Sequence, residues 1–223
     1  METLKINQLL DLSHTIAASL FETCTYPWEA LPRISEFITQ LGSTLSDEEY
    51  FKPSENVWIH KTAVVAPTAF IGKSVIIGPK AEIRHCAFIR GSAIVGSSAV
   101  VGNSTELKNV ILFDNVQVPH YNYVGDSILG YKAHMGAGSI TSNVKSNKTL
   151  VVLKNESESI ETGLKKFGAI LGDNVEIGCN SVLNPGSVVG RKTQVYPLSS
   201  VRGYIPADSI YKYSNEIVEI QKR

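Results

Sequence analysis

Arg90, Lys108 and His120 are spaced by multiples of six: three sixes separate the two cations, and two more lead to the histidine, in the run VPHYNYVGD over 118–126. Two cations held a few ångströms apart repel one another unless an anion lies between or beside them. Brought together, they would make a phosphate site, with Lys148 as a third cation. The competing reading is two solvated surface charges. His120 sits among Tyr121, Asn122 and Tyr123. An imidazole, with an ordinary pKa near 6.5, is suited to accept a proton around neutral pH, so the set points to a general base beside an anion pocket. A lone histidine is more often structural.

What positions these residues is the period of six itself. Bulky aliphatic residues recur at Ile59, Val65, Ile71, Ile77, Ile83, Ile89, Val95 and Val101, and again at Leu171, Ile177, Leu183, Val189, Val195 and Val201. Small residues stand two positions earlier, at Ala63, Ala69, Ala81, Ala87, Ala93 and Ala99. A helix requires period 3.6 and a half-buried strand period 2. Six is a multiple of two, so each hexad makes a short strand and a turn, and three hexads close a triangular coil. The fold class is mainly β: a parallel β-helix, or hexapeptide-repeat solenoid, with an N-terminal helical cap. Gly72, Gly78, Gly96 and Gly102 follow bulky positions, and the expectation is that they supply backbone angles other residues resist.

Residues three hexads apart then fall on one corner of adjacent coils, which places Arg90 above Lys108. His120 falls on a different corner of nearly the same coil. In a single chain those corners point apart. In three prisms packed side by side, the corner of one approaches the face of the next, and a homotrimer closes the pocket.

The frame slips to steps of five and six between Leu107 and Ile140, and the hexads vanish from about Asn143 to Phe167. That polar stretch is expected to leave the prism as a loop or hairpin. Three units follow: a helical segment over 1–50, a solenoid over 51–205 with an excursion at about 143–167, and a tail over 206–223. In the first, Leu9, Leu12, Ile16 and Leu20, then Leu31, Ile34, Ile38 and Leu41, take helical spacing. Two helices over one end of the solenoid are expected, since an open coil end exposes unpaired strand edges.

Composition narrows the partners. The 223 residues carry 21 basic and 21 acidic side chains, and this zero net charge supplies no global field for nucleic acid or an anionic membrane. Hydrophobic residues make up 43%, enough for a core. No apolar run reaches the roughly 18–20 residues that span a bilayer. The three cysteines are far apart and suit a reducing compartment, so a cytoplasmic location is expected. The five histidines are spread without the convergence zinc needs, and no metal is expected.

Between Arg90 and Lys148 the segments ELKNVIL, VPHYNYVGD, HMGAGSITSN and SNK resemble the acetyltransferase half of bifunctional N-acetylglucosamine-1-phosphate uridylyltransferase/glucosamine-1-phosphate acetyltransferase. ETGLKKFGAILGDNVEIG further resembles the related sugar-phosphate nucleotidylyltransferase variants. The resemblance spans roughly residues 57–205. It implies a left-handed β-helix, a trimer with active sites between subunits, and acetyl-CoA as co-substrate without a metal. Carried over by motif, His120 matches the catalytic base. Arg90 and Lys108 match the residues that hold the sugar phosphate, Tyr123 and Asn143 match substrate contacts, and Lys148 matches a loop lysine after a one-residue gap. Ala137 matches the alanine beside acetyl-CoA, and Cys179 stands where the family has a serine on that cofactor. His134 replaces a substrate-contacting asparagine, and Val144 replaces a tyrosine.

The implied activity is acetyl transfer to an amino-sugar phosphate or nucleotide sugar. The alternative is a non-catalytic, nucleotide-sugar-binding or scaffolding solenoid beside a separate nucleotidylyltransferase. No GxGTR(M) phosphate loop or N-terminal α/β domain is seen, so nucleotidylyl transfer is not expected of this chain.

Overall fold

The computed structural model describes residues 1–154, 158–212 and 217–219. Parallel strands wind into a triangular prism of about eight coils. The first face carries 57–59, then 75–77, 93–95, 110–112, 127–129, Ala169–Leu171, Ser187–Val189 and Tyr204–Ile205, each hydrogen-bonded in parallel to the next. The second runs from Val64–Val65 to Ser209–Tyr211. The third runs from 70–71 through Ile140–Thr141 to Ser200–Val201. The bulky hexad residues Ile77, Ile89, Val95, Val101 and Leu183 are fully buried, as a prism interior requires.

The glycines serve a different purpose from the one expected. None of Gly72, Gly78, Gly96 and Gly102 has positive φ; a Cβ on Gly102 would fall 1.6 Å from the Pro119 carbonyl oxygen, and one on Gly72 would fall 2.2 Å from that of Arg90. They are small because the next coil passes against them. The left-handed corner angles are taken by residues such as Ser74, Ser92, Ser104, Asn109 and Asn180, side chains that are short or tolerate that region.

The helical segment is broken, and it lies along a flank. Residues 2–21 form one-turn pieces, followed by a 3₁₀ stretch Pro27–Arg33 and a helix Ile34–Gly42. The reason for the docking lies on the first face. Side chains alternate along a strand, so the residue between two inward ones points out. On this face the outward column is Trp58, Ile76, Ile94, Ile111, Ile128, Ile170 and Val188, in register from coil to coil. Burying each aliphatic side chain is worth about 1.5–3 kcal/mol, and all of them are buried. What covers them is the segment's own apolar set, including Leu4, Leu9, Phe21, Trp28, Leu31, Ile34 and Ile38.

The segment doubles back along the coils, since the His14 carbonyl accepts from the Asp114 amide at 3.0 Å before Trp28 returns to Phe167 and Gly42 reaches Trp58. The Asp11 and Tyr131 amides donate to the Asp173 carboxylate at 2.8 and 2.9 Å, Trp28 packs on Phe167 at 5.7 Å, and Gly42 lies directly on the Trp58 ring. The first coil's edge is covered by the strand Tyr50–Ser54, which pairs antiparallel with Val57–His60. At the other end Ser209–Tyr211 pairs antiparallel with Ile217–Glu219. The excursion contains an antiparallel hairpin, Val152–Lys154 with Ser159–Glu161.

Candidate active site

The third face and the corner beyond it gather one polar cluster. The Phe88–Val95 and Glu106–Leu112 strands pair with an irregularity between Ile89 and Gly91, so Gly91 lies opposite Lys108 and Arg90 is the extra residue of a bulge. The coil is thus one residue short here, and Arg90 and Lys108 still share the corner. Each has its own carboxylate. Arg90 Nη1 donates to Glu106 Oε1 at 2.9 Å. Lys108 Nζ donates to both oxygens of Asp126, at 2.8 and 2.9 Å. The anions that relieve the stacked cations are therefore side chains of this chain.

Asp126 is the hub. It is nearly buried at 3% exposure and also accepts from Asn109 Nδ2 at 2.9 Å and Asn143 Nδ2 at 2.5 Å. Asn143 Nδ2 also donates to the Tyr123 hydroxyl at 3.3 Å. Burial, with the Asp126 and Glu106 carboxylates adding to it, pushes the Tyr123 phenol above its ordinary pKa, so it is held protonated as a donor. The Glu106 hydrogen bond and charge raise the Arg90 pKa and keep that group charged.

His120 is on another corner. It is exposed, and its ring makes no hydrogen bond among the described residues. Its carbonyl accepts from the Gly138 amide at 3.0 Å, the Ala137 carbonyl accepts from Asn180 at 2.8 Å, and that of Cys179 accepts from Leu198 at 2.9 Å. These bonds stack His120, Ala137 and Cys179 on one corner of three successive coils, with about 4.8 Å per step. The Gly136 and Gly138 amides are engaged, the first with Ile177 O at 2.7 Å and the second with His120 O. The Ala137 amide between them has no acceptor among the described residues.

His134 points outward from the second face. Its Nδ1 lies 2.7 Å from Glu176 on the next coil. Both line a groove of about 410 Å³ that Cys179 and Tyr196 also border. His134 is thus grouped with Cys179 and not with Arg90 and Lys108. Lys148 is exposed in the excursion, in a turn closed by its amide on the Lys145 carbonyl. One chain therefore brings Arg90, Lys108, Tyr123 and Asn143 together. It stacks His120 with Ala137 and Cys179 elsewhere, and leaves Lys148 apart.

Glu106, Asn109 and Asp126 are not singled out by sequence reasoning. A signal for Asp126 exists all the same: it follows Lys108 by three hexads, the same interval that separates Lys108 from Arg90.

No family model matches the chain. A bifunctional protein GlmU of Methanococcus maripaludis is 40% identical over 200 residues, covering 89% of this chain and 48% of the relative. This chain is homologous to the C-terminal half of GlmU. It spans about half the length of the GlmU relatives it matches. A bifunctional sugar-1-phosphate nucleotidylyltransferase/acetyltransferase of Sulfurisphaera tokodaii is 30% identical over 92 residues, which is 41% of this chain and 23% of that protein. Among solved structures, a mutant of AntD, an N-acyltransferase from Bacillus cereus in complex with dTDP and coenzyme A, is 18% identical with a TM-score of 0.41, covering 78% of this chain and 92% of that one. Among the described residues, no helix is long and apolar enough to cross a membrane, and no group of three His, Cys, Asp or Glu side chains is placed to hold a metal.

Proposed function

We propose that this GlmU homologue is a cytoplasmic, acetyl-CoA-dependent N-acetyltransferase acting on an amino-sugar phosphate such as glucosamine-1-phosphate, with its site closed between the subunits of a homotrimer. The observation that carries the proposal is the split of the polar residues between two corners of one prism. His120, Ala137 and Cys179 share one corner, and the Arg90, Lys108, Tyr123 and Asn143 cluster occupies the other. Neither corner has a complete set alone. Side-by-side packing sets the first corner of one chain against the second corner of its neighbour.

In this reading acetyl-CoA lies along the Ala137–Cys179 corner and the sugar on the Asp126-centred cluster. The amine nitrogen attacks the thioester carbonyl, the C–N bond forms, and the C–S bond breaks to release the thiol. The imidazole of His120 takes the amine proton and passes it to the departing sulfur. The Ala137 amide, which has no acceptor among the described residues, faces the developing oxyanion.

A thiol-release assay with acetyl-CoA against glucosamine-1-phosphate, galactosamine-1-phosphate and UDP-linked amino sugars tests the proposal. Turnover with one of them is expected, and turnover with none rejects it. Light scattering tests the assembly, with a mass three times the 24.3 kDa of the chain expected. The second reading, a non-catalytic sugar-nucleotide-binding solenoid, draws on His134, whose imidazole is already taken up by Glu176 where the family presents an amide.

A further inference from the structure

The corner that carries Arg90 and Lys108 continues upward. The residues that follow the inward positions Ile89, Leu107, Leu183 and Val201 on the third face are Arg90, Lys108, Asn184 and Arg202. Arg90 has Glu106 and Lys108 has Asp126. Arg202 has no carboxylate partner among the described residues. Its Nη2 reaches only the Asn184 amide oxygen, at 3.4 Å. Asn184 is itself fixed, because its Nδ2 donates to Val201 O at 2.8 Å and to Ser200 Oγ at 3.0 Å. That orientation turns the amide oxygen toward the guanidinium.

Arg202 lines a cavity of about 270 Å³ together with Ser142, Lys145, Ser146, Asn147 and Asn184. Lys145 is likewise without a carboxylate among the described residues, and its ammonium donates once, to Leu150 O at 3.2 Å. Three ammonium and five guanidinium N–H groups are available in total from such a pair, and two bonds use only two of them. No acid lines the cavity. Two cations, two hydroxyls and no counter-charge form a site for a multiply charged oxyanion.

We propose that the Lys145–Arg202 cavity binds a phosphoryl group. It adjoins the Asp126 cluster, since Ser142 on its wall precedes Asn143, which donates to Asp126. A phosphate here therefore belongs to the acceptor more naturally than to the acyl donor, whose proposed corner, at Ala137 and Cys179, is a different one. Only this assignment of source rests on the function proposed above; the cavity's preference for phosphate stands without it.

Calorimetric titration of inorganic pyrophosphate into the wild-type protein and into the Lys145→Ala/Arg202→Ala double variant tests the site. Both side chains reach solvent, so the variant is expected to keep the wild-type Tm. Saturable binding by the wild type, weakened at least about tenfold in the variant and by added salt, is expected. Equal affinity in the two proteins, or no saturable binding by the wild type at millimolar pyrophosphate, overturns the proposal. Kinetics assign the source. A KM that rises about tenfold for the acceptor phosphate alone identifies the acceptor, and one that rises for acetyl-CoA alone identifies the donor; in both cases the cavity is a phosphoryl site. If no acceptor supports turnover, the function proposal fails while the titration still decides this one.

Discussion

Asp126 grips Lys108 with both carboxylate oxygens, at 2.8 and 2.9 Å, from a position with only 4% of its side chain exposed. A charge taken so far out of water is tolerable only while its partners stay in place.

Removing the ammonium should therefore cost far more than a surface ion pair. Lys108→Met is expected to destabilise the protein by about 3–5 kcal/mol. Adding Asp126→Asn in the same chain should recover part of that loss. Urea unfolding of the two single variants and the double variant closes the cycle. Simple additivity would show that the pair is not coupled, and an activity loss in a Lys108 variant could then be read as substrate binding alone.

His120 calls for the opposite expectation. Its ring is exposed and makes no hydrogen bond among the described residues, so His120→Ala should leave the Tm unchanged. Turnover should fall by about 10²–10⁴-fold, the usual cost of a lost general base, with the acceptor KM near the wild-type value. Near-normal turnover at saturating substrates would remove His120 from the role.

The outward ladder on the first face can be probed at its centre. Ile94 is fully buried between Ile76 and Ile111 beneath the N-terminal segment. Ile94→Ala is expected to cost about 2–5 kcal/mol by chemical denaturation. A loss under about 0.5 kcal/mol, typical of an exposed site, would mean that the segment does not dock there in solution.

Asp173 gives the stability a pH dependence. Burial raises its pKa above the ordinary 3.8, outweighing the Tyr131 amide and the nearby Arg191. Arg191 Nε is 3.1 Å away, close enough for charge pairing but not aligned for a hydrogen bond. With the folded pKa raised, the folded state binds this proton more tightly than the unfolded chain does. Its contribution is then greatest below the unfolded pKa and declines as pH rises through the folded one. Wild-type stability minus that of Asp173→Asn should accordingly fall as pH rises from about 3.8. A difference that grows with pH would contradict the sign.

The solenoid was legible because its period comes from one cause repeated at every coil: one inward aliphatic residue per strand. The same count puts the slipped frame between Leu107 and Ile140, whereas the irregularity in the pairing lies earlier, between Ile89 and Gly91. The direction of the N-terminal segment was not legible. Its apolar spacing says that it must bury one side, and only the register of Ile76, Ile94, Ile111 and Ile128 says against what. Those residues lie next to inward positions, so in a one-dimensional reading they merge with the core. The corner glycines are illegible for a similar reason: Gly102 is constrained by Pro119, on the next coil. At the site, the positions of the cations followed from coil length. The ownership of their counter-charges did not, because a carboxylate one coil away looks from the sequence like any other surface acid.

A stack of repeats ordinarily holds each rung only to its neighbours, so damage stays local and either end can fray alone. Here residues 1–42 bridge rungs that never touch one another, from Asp173 near one end to Trp58 at the other. On the ribosome that splint emerges before the prism it clamps, yet Asp11 must wait until Asp173 has been made before its amide has an acceptor. The prism should therefore lock late and release as one body.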